Sequence, residues 1–191
     1  MNKAIFLDLG GTIIYDKGLE KFFKEAKVGN VYVIKPEYVM FIPQSLDALK
    51  MLSKTTYKLI ITTNVPAITS GCCTEKELLG VKEKVIKEAI KQGGRIDGFY
   101  YCPHRGRDNC ECRKPKQGML LKAIEEHNLF LQGNWMVGDK TSDVKFGRDG
   151  GCKTILVETG YAGKDGKYEI EGDYKLGNLF KAAQFITNES R

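Results

Sequence analysis

Short apolar runs that alternate with amphipathic stretches set the strongest limit on what this chain can fold into. Residues 4–9, 57–62, 98–101, 135–138 and 154–157 each read as a buried strand. Between them, apolar residues recur at helical spacing, the pattern of a parallel sheet covered by helices. Residues 43–53 carry Leu46, Leu49 and Leu52, with Pro43 suited to a first helical turn. Thr74-Glu75-Lys76-Glu77 is a capping box, which starts a helix expected to run to Gln92 before Gly93-Gly94. Residues 115–128 form a further helix with Met119, Leu120, Ala123 and Ile124 inward, and residues 176–185 a closing one. Residues 15–38 are the least regular. No linker, repeat or low-complexity segment interrupts the chain, so residues 1–191 are expected to form one α/β domain, a Rossmann-like parallel sheet with helices on both faces.

In such sheets, function gathers at the carboxyl ends of the strands. The informative polar residues fall there: Asp8, Thr63-Asn64, the segment from Cys102, and Asp139. A carboxylate atop a buried strand is costly unless paired or metal-bound. Asp8 and Asp139 are two such groups, and Lys140 adds a cation beside the second. Hard oxygen ligands with few other supporting groups suit Mg²⁺, which takes one or two carboxylates together with a phosphate. Asp143 lies one turn beyond Asp139 and can face the same site, or serve as an acidic residue in a helix's first turn.

Six cysteines occur, and Cys102, Cys110 and Cys112 cluster with His104. Three thiolates and one imidazole complete a tetrahedral Zn²⁺ site, and four protein ligands make it structural rather than catalytic. The stretch between the ligand pairs, Arg105 to Asn109, is too polar to pack alone, so a metal would stand in for a core. Cys72, Cys73 and Cys152 show no such pattern.

The motifs Phe6-Leu7-Asp8-Leu9-Gly10-Gly11-Thr12, Thr62-Thr63-Asn64, Arg113-Lys114-Pro115 and Gly138-Asp139-Lys140 followed by Asp143 resemble, in order, the four motifs of the haloacid dehalogenase superfamily. The resemblance implies an aspartyl-phosphate mechanism. Asp8 would be the nucleophile and a Mg²⁺ ligand, with Asp139 as the second carboxylate. Thr63 and Asn64 would hold phosphoryl oxygens, and Lys114 would neutralise charge on phosphate and nucleophile. The Cys-x-His and Cys-x-Cys-Arg-Lys-Pro pattern narrows the resemblance to the capless branch of heptose-1,7-bisphosphate and histidinol-phosphate phosphatases. By that likeness the zinc loop replaces a cap and Arg113 reaches the distal part of a small sugar phosphate, a heptose bisphosphate being the leading substrate.

The chain departs from that pattern at one chemically important place. The family carries Asp-x-Asp-Gly-Thr, whereas this chain has Asp8-Leu9-Gly10-Gly11-Thr12. Gly10 keeps a backbone carbonyl for Mg²⁺ but has no general acid/base, a loss worth about 10²–10⁴-fold. Another group, such as Asp16 or Lys17, would have to substitute, or the substrate would need a better leaving group, or the protein would be a sugar-phosphate binder. Val65 and Ser70 stand where the branch carries Gln and Arg.

The formal charge of +6 leaves open a nucleic-acid module or a polynucleotide 3′-phosphatase. Against this, the lysines are scattered over helical stretches, and few aromatics accompany the basic loop. With 42% hydrophobic and 28% charged residues, no bilayer-length apolar run and no signal-type start, the chain is expected to be a cytoplasmic monomer without membrane contact.

Overall fold

The computed structural model describes residues 1–15 and 35–189. Six strands form one sheet: β1 (Ala4–Leu7), β2 (Lys58–Asn64), β3 (Gly98–Cys102), β4 (Trp135–Gly138), β5 (Lys153–Val157) and β6 (Tyr174–Leu176). Their order is β3-β2-β1-β4-β5-β6, and every neighbouring pair is parallel. The order reverses direction between β1 and β4, so a crevice opens above those two strand ends.

Among the described residues, five α-helices cover the sheet: α1 (Ser45–Leu52), α2 (Glu75–Lys91), α3 (Gly118–His127), α4 (Thr141–Asp149) and α5 (Leu179–Glu189). Alternation within the buried strands divides them into two layers. Ile5 and Leu7 join Leu49 and Leu52 of α1, Val81 and Val85 of α2, and Leu179 and Ala182 of α5 in one core. Ala4 and Phe6 point the other way, to Met119 and Leu120 of α3 and Phe146 of α4. Phe6 meets Phe146 edge-on, with ring centroids 6.3 Å apart. Helices therefore lie on both faces, as the strand pattern predicts.

Boundaries moved where backbone pairing overrides apolar content. The first strand stops at Leu7, because the Leu9 carbonyl turns to accept from the amides of Ile13 and Ile14. The second runs on to Asn64, since Thr63 and Asn64 still pair with Tyr101 and Cys102. Its partner β3 extends to Cys102. The helix expected over 43–53 begins at Ser45, after Gln44 takes a left-handed φ of 65°. That expected from 115 begins at Gly118, whose amide bonds the Glu111 carbonyl, and ends at a left-handed Asn128. The Thr74 capping box forms as read. Leu176 belongs to β6, a strand of three residues too short to show alternation, so the closing helix starts at Leu179. Most of residues 15–38, including Asp16 and Lys17, lies outside the described residues.

Asn134 locks β4 beside β1. Its side-chain oxygen accepts from the Ala4 amide at 2.8 Å, and its amide group donates to the carbonyls of Phe130 and Leu131 at 2.7 and 3.3 Å. The side chain is fully buried, so truncation strands these groups without water. Asn134→Ala is expected to lower unfolding free energy by about 2–3 kcal/mol, read from urea titration by circular dichroism. A loss below about 0.5 kcal/mol would show that the β1–β4 junction does not depend on this side chain.

Candidate active site

Parallel pairing sets the geometry of the crevice. Leu7 is in register with Val137, and the Asp8 amide donates to the Val137 carbonyl at 2.9 Å. Two adjacent strands thus end together, and Asp8, Asp139 and Asp143 place one carboxylate oxygen each within 4.8 Å of the others. All three are buried. Bringing like charges this close out of water is unfavourable unless cations answer them.

Lys114 is the first such cation. Its ammonium lies 2.7 Å from Asp8 Oδ1, 2.7 Å from Asp143 Oδ1 and 2.7 Å from the Thr62 carbonyl, donating hydrogen bonds to Asp8 and Thr62 and forming an ion pair with Asp143. Lys140 is the second, with Nζ 3.9 Å from Asp8 Oδ2, 3.5 Å from Asp139 Oδ1 and 4.9 Å from the centre of the Tyr161 ring. Burial opposes the charge on Asp8, but Lys114 and then Lys140 outweigh it and hold that carboxyl below its usual range. Burial likewise opposes the charge on Lys114, and Asp143 and Asp8 outweigh it, so the ammonium is kept. Asp139 has no such full compensation. Burial, with Asp8 and Asp143 adding to it and Lys140 opposing, pushes its carboxyl up to about 8.

Asp139 is held tightly nonetheless. Its Oδ2 accepts from the Tyr161 amide at 2.7 Å, while the buried Oδ1 accepts no hydrogen bond. Gly11 and Gly160, at φ of 83° and 60°, press against it: a Cβ on either would stand 2.3 or 2.2 Å from Oδ2. Thr159 Oγ1 closes this clamp with a 2.6 Å bond to the Gly11 carbonyl. A buried, oriented carboxylate with one unbonded oxygen, beside two further carboxylates, is the donor set of a hard divalent cation.

The other expected site residues distribute as follows. Thr63 and Asn64 line the cleft with Asp8, Gly10, Lys114 and Asp143. Asn64 spends both ends of its side-chain amide on the Lys114 backbone, accepting from the amide at 3.0 Å and donating to the carbonyl at 3.1 Å. It therefore positions Lys114. Arg113 does not line this cleft. It donates to the His104 carbonyl at 2.8 Å and opens onto a neighbouring cavity of about 410 Å³ beside the cysteine loop. Sequence reasoning missed the loop after β5, which supplies Thr159, Gly160 and Tyr161, and Asp165, which accepts from the Thr141 amide and hydroxyl at 2.7 and 2.9 Å. Its Thr-Gly-Tyr run just past a strand end was the available signal.

Cys102, His104, Cys110 and Cys112 converge at the end of β3. The sulfur pairs stand 3.5, 3.2 and 3.6 Å apart, and His104 Nδ1 lies 3.6 Å from Cys102 and 3.3 Å from Cys112. Ligands on a tetrahedral zinc ion are separated by about 3.8 Å for bonds of about 2.3 Å. The four atoms thus form a compact donor set that could hold a metal ion.

The clamp on Asp139 can be tested without any ligand. Gly160→Ala forces a methyl into the carboxylate, whereas Gly166, at a similar φ of 65°, has nothing within 4 Å of an added Cβ. Gly166→Ala should cost about 1–2 kcal/mol from backbone conformation alone. Gly160→Ala should cost clearly more in the same urea titration, and equal losses would contradict the clamp.

A family model described as HAD-hydrolase-like matches residues 111–182. The D-glycero-beta-D-manno-heptose-1,7-bisphosphate 7-phosphatase of Pasteurella multocida is 37% identical over 193 residues, covering 95% of this chain and 98% of its own. The protein of the same name from Haemophilus influenzae is 37% identical over 186 residues, covering 94% of each. Among solved structures, the D,D-heptose 1,7-bisphosphate phosphatase from B. bronchiseptica, complexed with magnesium and phosphate, superposes with a TM-score of 0.84 at 27% identity, covering 98% of this chain and 99% of that one. The chain belongs to the haloacid dehalogenase superfamily, in the family of these heptose-bisphosphate phosphatases.

Proposed function

We propose that this protein is a Mg²⁺-dependent phosphatase that acts on a small sugar phosphate, a heptose bisphosphate, through an aspartyl-phosphate intermediate. The carrying observation is the buried Asp8–Asp139–Asp143 cluster, of which Asp8 and Asp143 line the cleft, answered by Lys114 and Lys140 among the described residues. With all three carboxylates ionised, as a bound dication would hold them, and two ammonium groups, the protein side carries −1, and the dication brings the site to +1, which favours a phosphate dianion. The related phosphatases named for heptose bisphosphates support the substrate, and their similarity extends over nearly the whole chain.

In this reading Asp8 is the nucleophile. Lys114 keeps it ionised and anchored, and its own position is fixed by the Asn64 amide. Asp8, Asp139 and the Gly10 carbonyl would hold Mg²⁺, which supplies charge neutralisation between carboxylate and phosphate. Thr63 lies at the cleft wall to receive a phosphoryl oxygen, and Asn64 holds the loop that carries Lys114. Arg113 faces the adjoining basic cavity, where the distal part of a bisphosphate would extend. Cys102, His104, Cys110 and Cys112 would hold Zn²⁺ and fix that wall. Among the described residues no helix is long and apolar enough to cross a membrane. We place the protein in the cytoplasm as a monomer.

One observation favours a second reading. Gly10 brings no side chain where an acid/base would be expected, and a phosphate-binding protein without turnover would have the same cluster. The two separate in one assay. With Mg²⁺ and a sugar-phosphate panel, the enzyme reading expects phosphate release that Asp8→Asn lowers by at least about 10³-fold. Phosphate binding with no release above that variant would establish the binder. Separately, purified protein should carry about one zinc per chain by elemental analysis, and Cys110→Ser should lose it. Zinc-free protein of unchanged stability would remove the metal from the loop.

A further inference from the structure

The cavity of about 410 Å³ beside the cysteine loop shares Lys114 with the Asp8 cleft. Two loops, distant in the chain, build it. Arg105, Arg113 and Lys116 come from the cysteine loop and the residues just after it, and Lys167 and Tyr168 from the loop after β5. The ammonium of Lys114 itself is turned to Asp8, which leaves four cationic side chains around the cavity and no acidic residue in its described lining. Two of the four are already answered. Lys116 Nζ lies 2.8 Å from Glu111 Oε1 and 3.1 Å from Asn109 Oδ1, and Arg105 Nε lies 3.5 Å from Asp108 Oδ2. Arg113 spends one donor on the His104 carbonyl, a neutral partner. Among the described residues no carboxylate pairs with Arg113 or with the exposed Lys167. The loop that carries Lys167 is anchored at Asp139. The Tyr161 amide donates to Asp139 Oδ2 at 2.7 Å, the Gly163 amide to the Asp139 carbonyl at 2.8 Å, and Asp165 accepts from the Thr141 amide at 2.7 Å. Lys167 and Tyr168 follow directly after these contacts.

Resting on the phosphatase reading above, we propose that Lys167 and Tyr168 are specificity-determining residues that bind, together with Arg113, the non-reacting phosphate of a sugar bisphosphate. Two cations without a carboxylate partner match the charge of one phosphate dianion. The Arg113 guanidinium offers a planar fork of donors to phosphoryl oxygens, Lys167 a point charge on a flexible stem, and Tyr168 a hydroxyl that donates. The remote phosphate then bridges the cysteine loop and the loop that holds Asp139. A monophosphate that reaches Asp8 leaves Arg113 and Lys167 facing water and forgoes this binding, so the cavity selects the substrate that carries two phosphates.

The experiment compares kcat/KM, measured with Mg²⁺, for a heptose 1,7-bisphosphate and for the two heptose monophosphates. The wild type is expected to prefer the bisphosphate over the better monophosphate by at least about tenfold. Lys167→Ala is expected to reduce that preference about tenfold, the worth of one charge-assisted hydrogen bond. Lys167→Arg should restore most of it, and Tyr168→Phe should reduce it by a smaller factor. Lys164→Ala removes a charge from the same loop outside the cavity and should leave the preference as it is. A wild type without preference would overturn this inference while leaving a phosphatase. So would a loss in Lys167→Ala that falls equally on bisphosphate and monophosphates, or one that Lys164→Ala reproduces. No turnover of any of the three above the Asp8→Asn background would instead overturn the phosphatase reading. The same preference, read as dissociation constants by calorimetry, then decides the role of the cavity by the same criteria.

Discussion

The site depends on a single buried ammonium. Lys114 reaches up between two strand ends to meet Asp8, Asp143 and the Thr62 carbonyl, each at 2.7 Å. Removing one partner of a buried charged group leaves the other uncompensated, which typically costs about 3–5 kcal/mol. The three elements that meet at Lys114, β1, β2 and α4, are therefore fixed relative to one another by electrostatics as well as by packing. The nucleophile's ionisation and the shape of the cleft have the same origin.

Secondary contacts carry that constraint outward. Asn64 grips the Lys114 backbone from the end of β2, and the same strand end is tied to the start of the cysteine loop, where the Val65 amide bonds the Cys102 carbonyl at 2.7 Å. Thr69 Oγ1 adds a 2.6 Å bond to the Pro103 carbonyl. A metal held by the cysteine cluster would stiffen this wall, because Cys112 lies two residues before Lys114 in the chain. On the opposite side, the loop after β5 holds Asp139 through the Tyr161 amide and supports α4 through Asp165. The cleft is thus built by loops from every central strand, as expected at a topological switch point.

Much of this was legible in the sequence, and the reasons differ by residue. The strands could be read because burial on both faces demands unbroken apolar runs, and Asp8 and Asp139 stood out by ending two of them. The cysteine cage was visible because metal geometry restricts ligand spacing. Asn64 was assigned to the phosphoryl group by resemblance, and its grip on Lys114 could not be seen because it joins positions far apart in the chain. The clamp of Gly11, Gly160 and Thr159 was hidden for the same reason, since a glycine's neighbour across space leaves no local pattern. Helix α4 was weakly marked: Gly147 interrupts its apolar face to let Met136 approach, with an added Cβ only 2.5 Å from Met136 Cβ.

Binding of Mg²⁺ tests the central claim most directly, because Asp8 and Asp139 are held to share one ion. Calorimetric titration of Mg²⁺ in the presence of inorganic phosphate, for the wild type, Asp8→Asn and Asp139→Asn, compares the two carboxylates in one measurement. The account predicts that each substitution weakens Mg²⁺ by at least about tenfold, or about 1.4 kcal/mol. Wild-type affinity in either variant, with the fold intact, would contradict it.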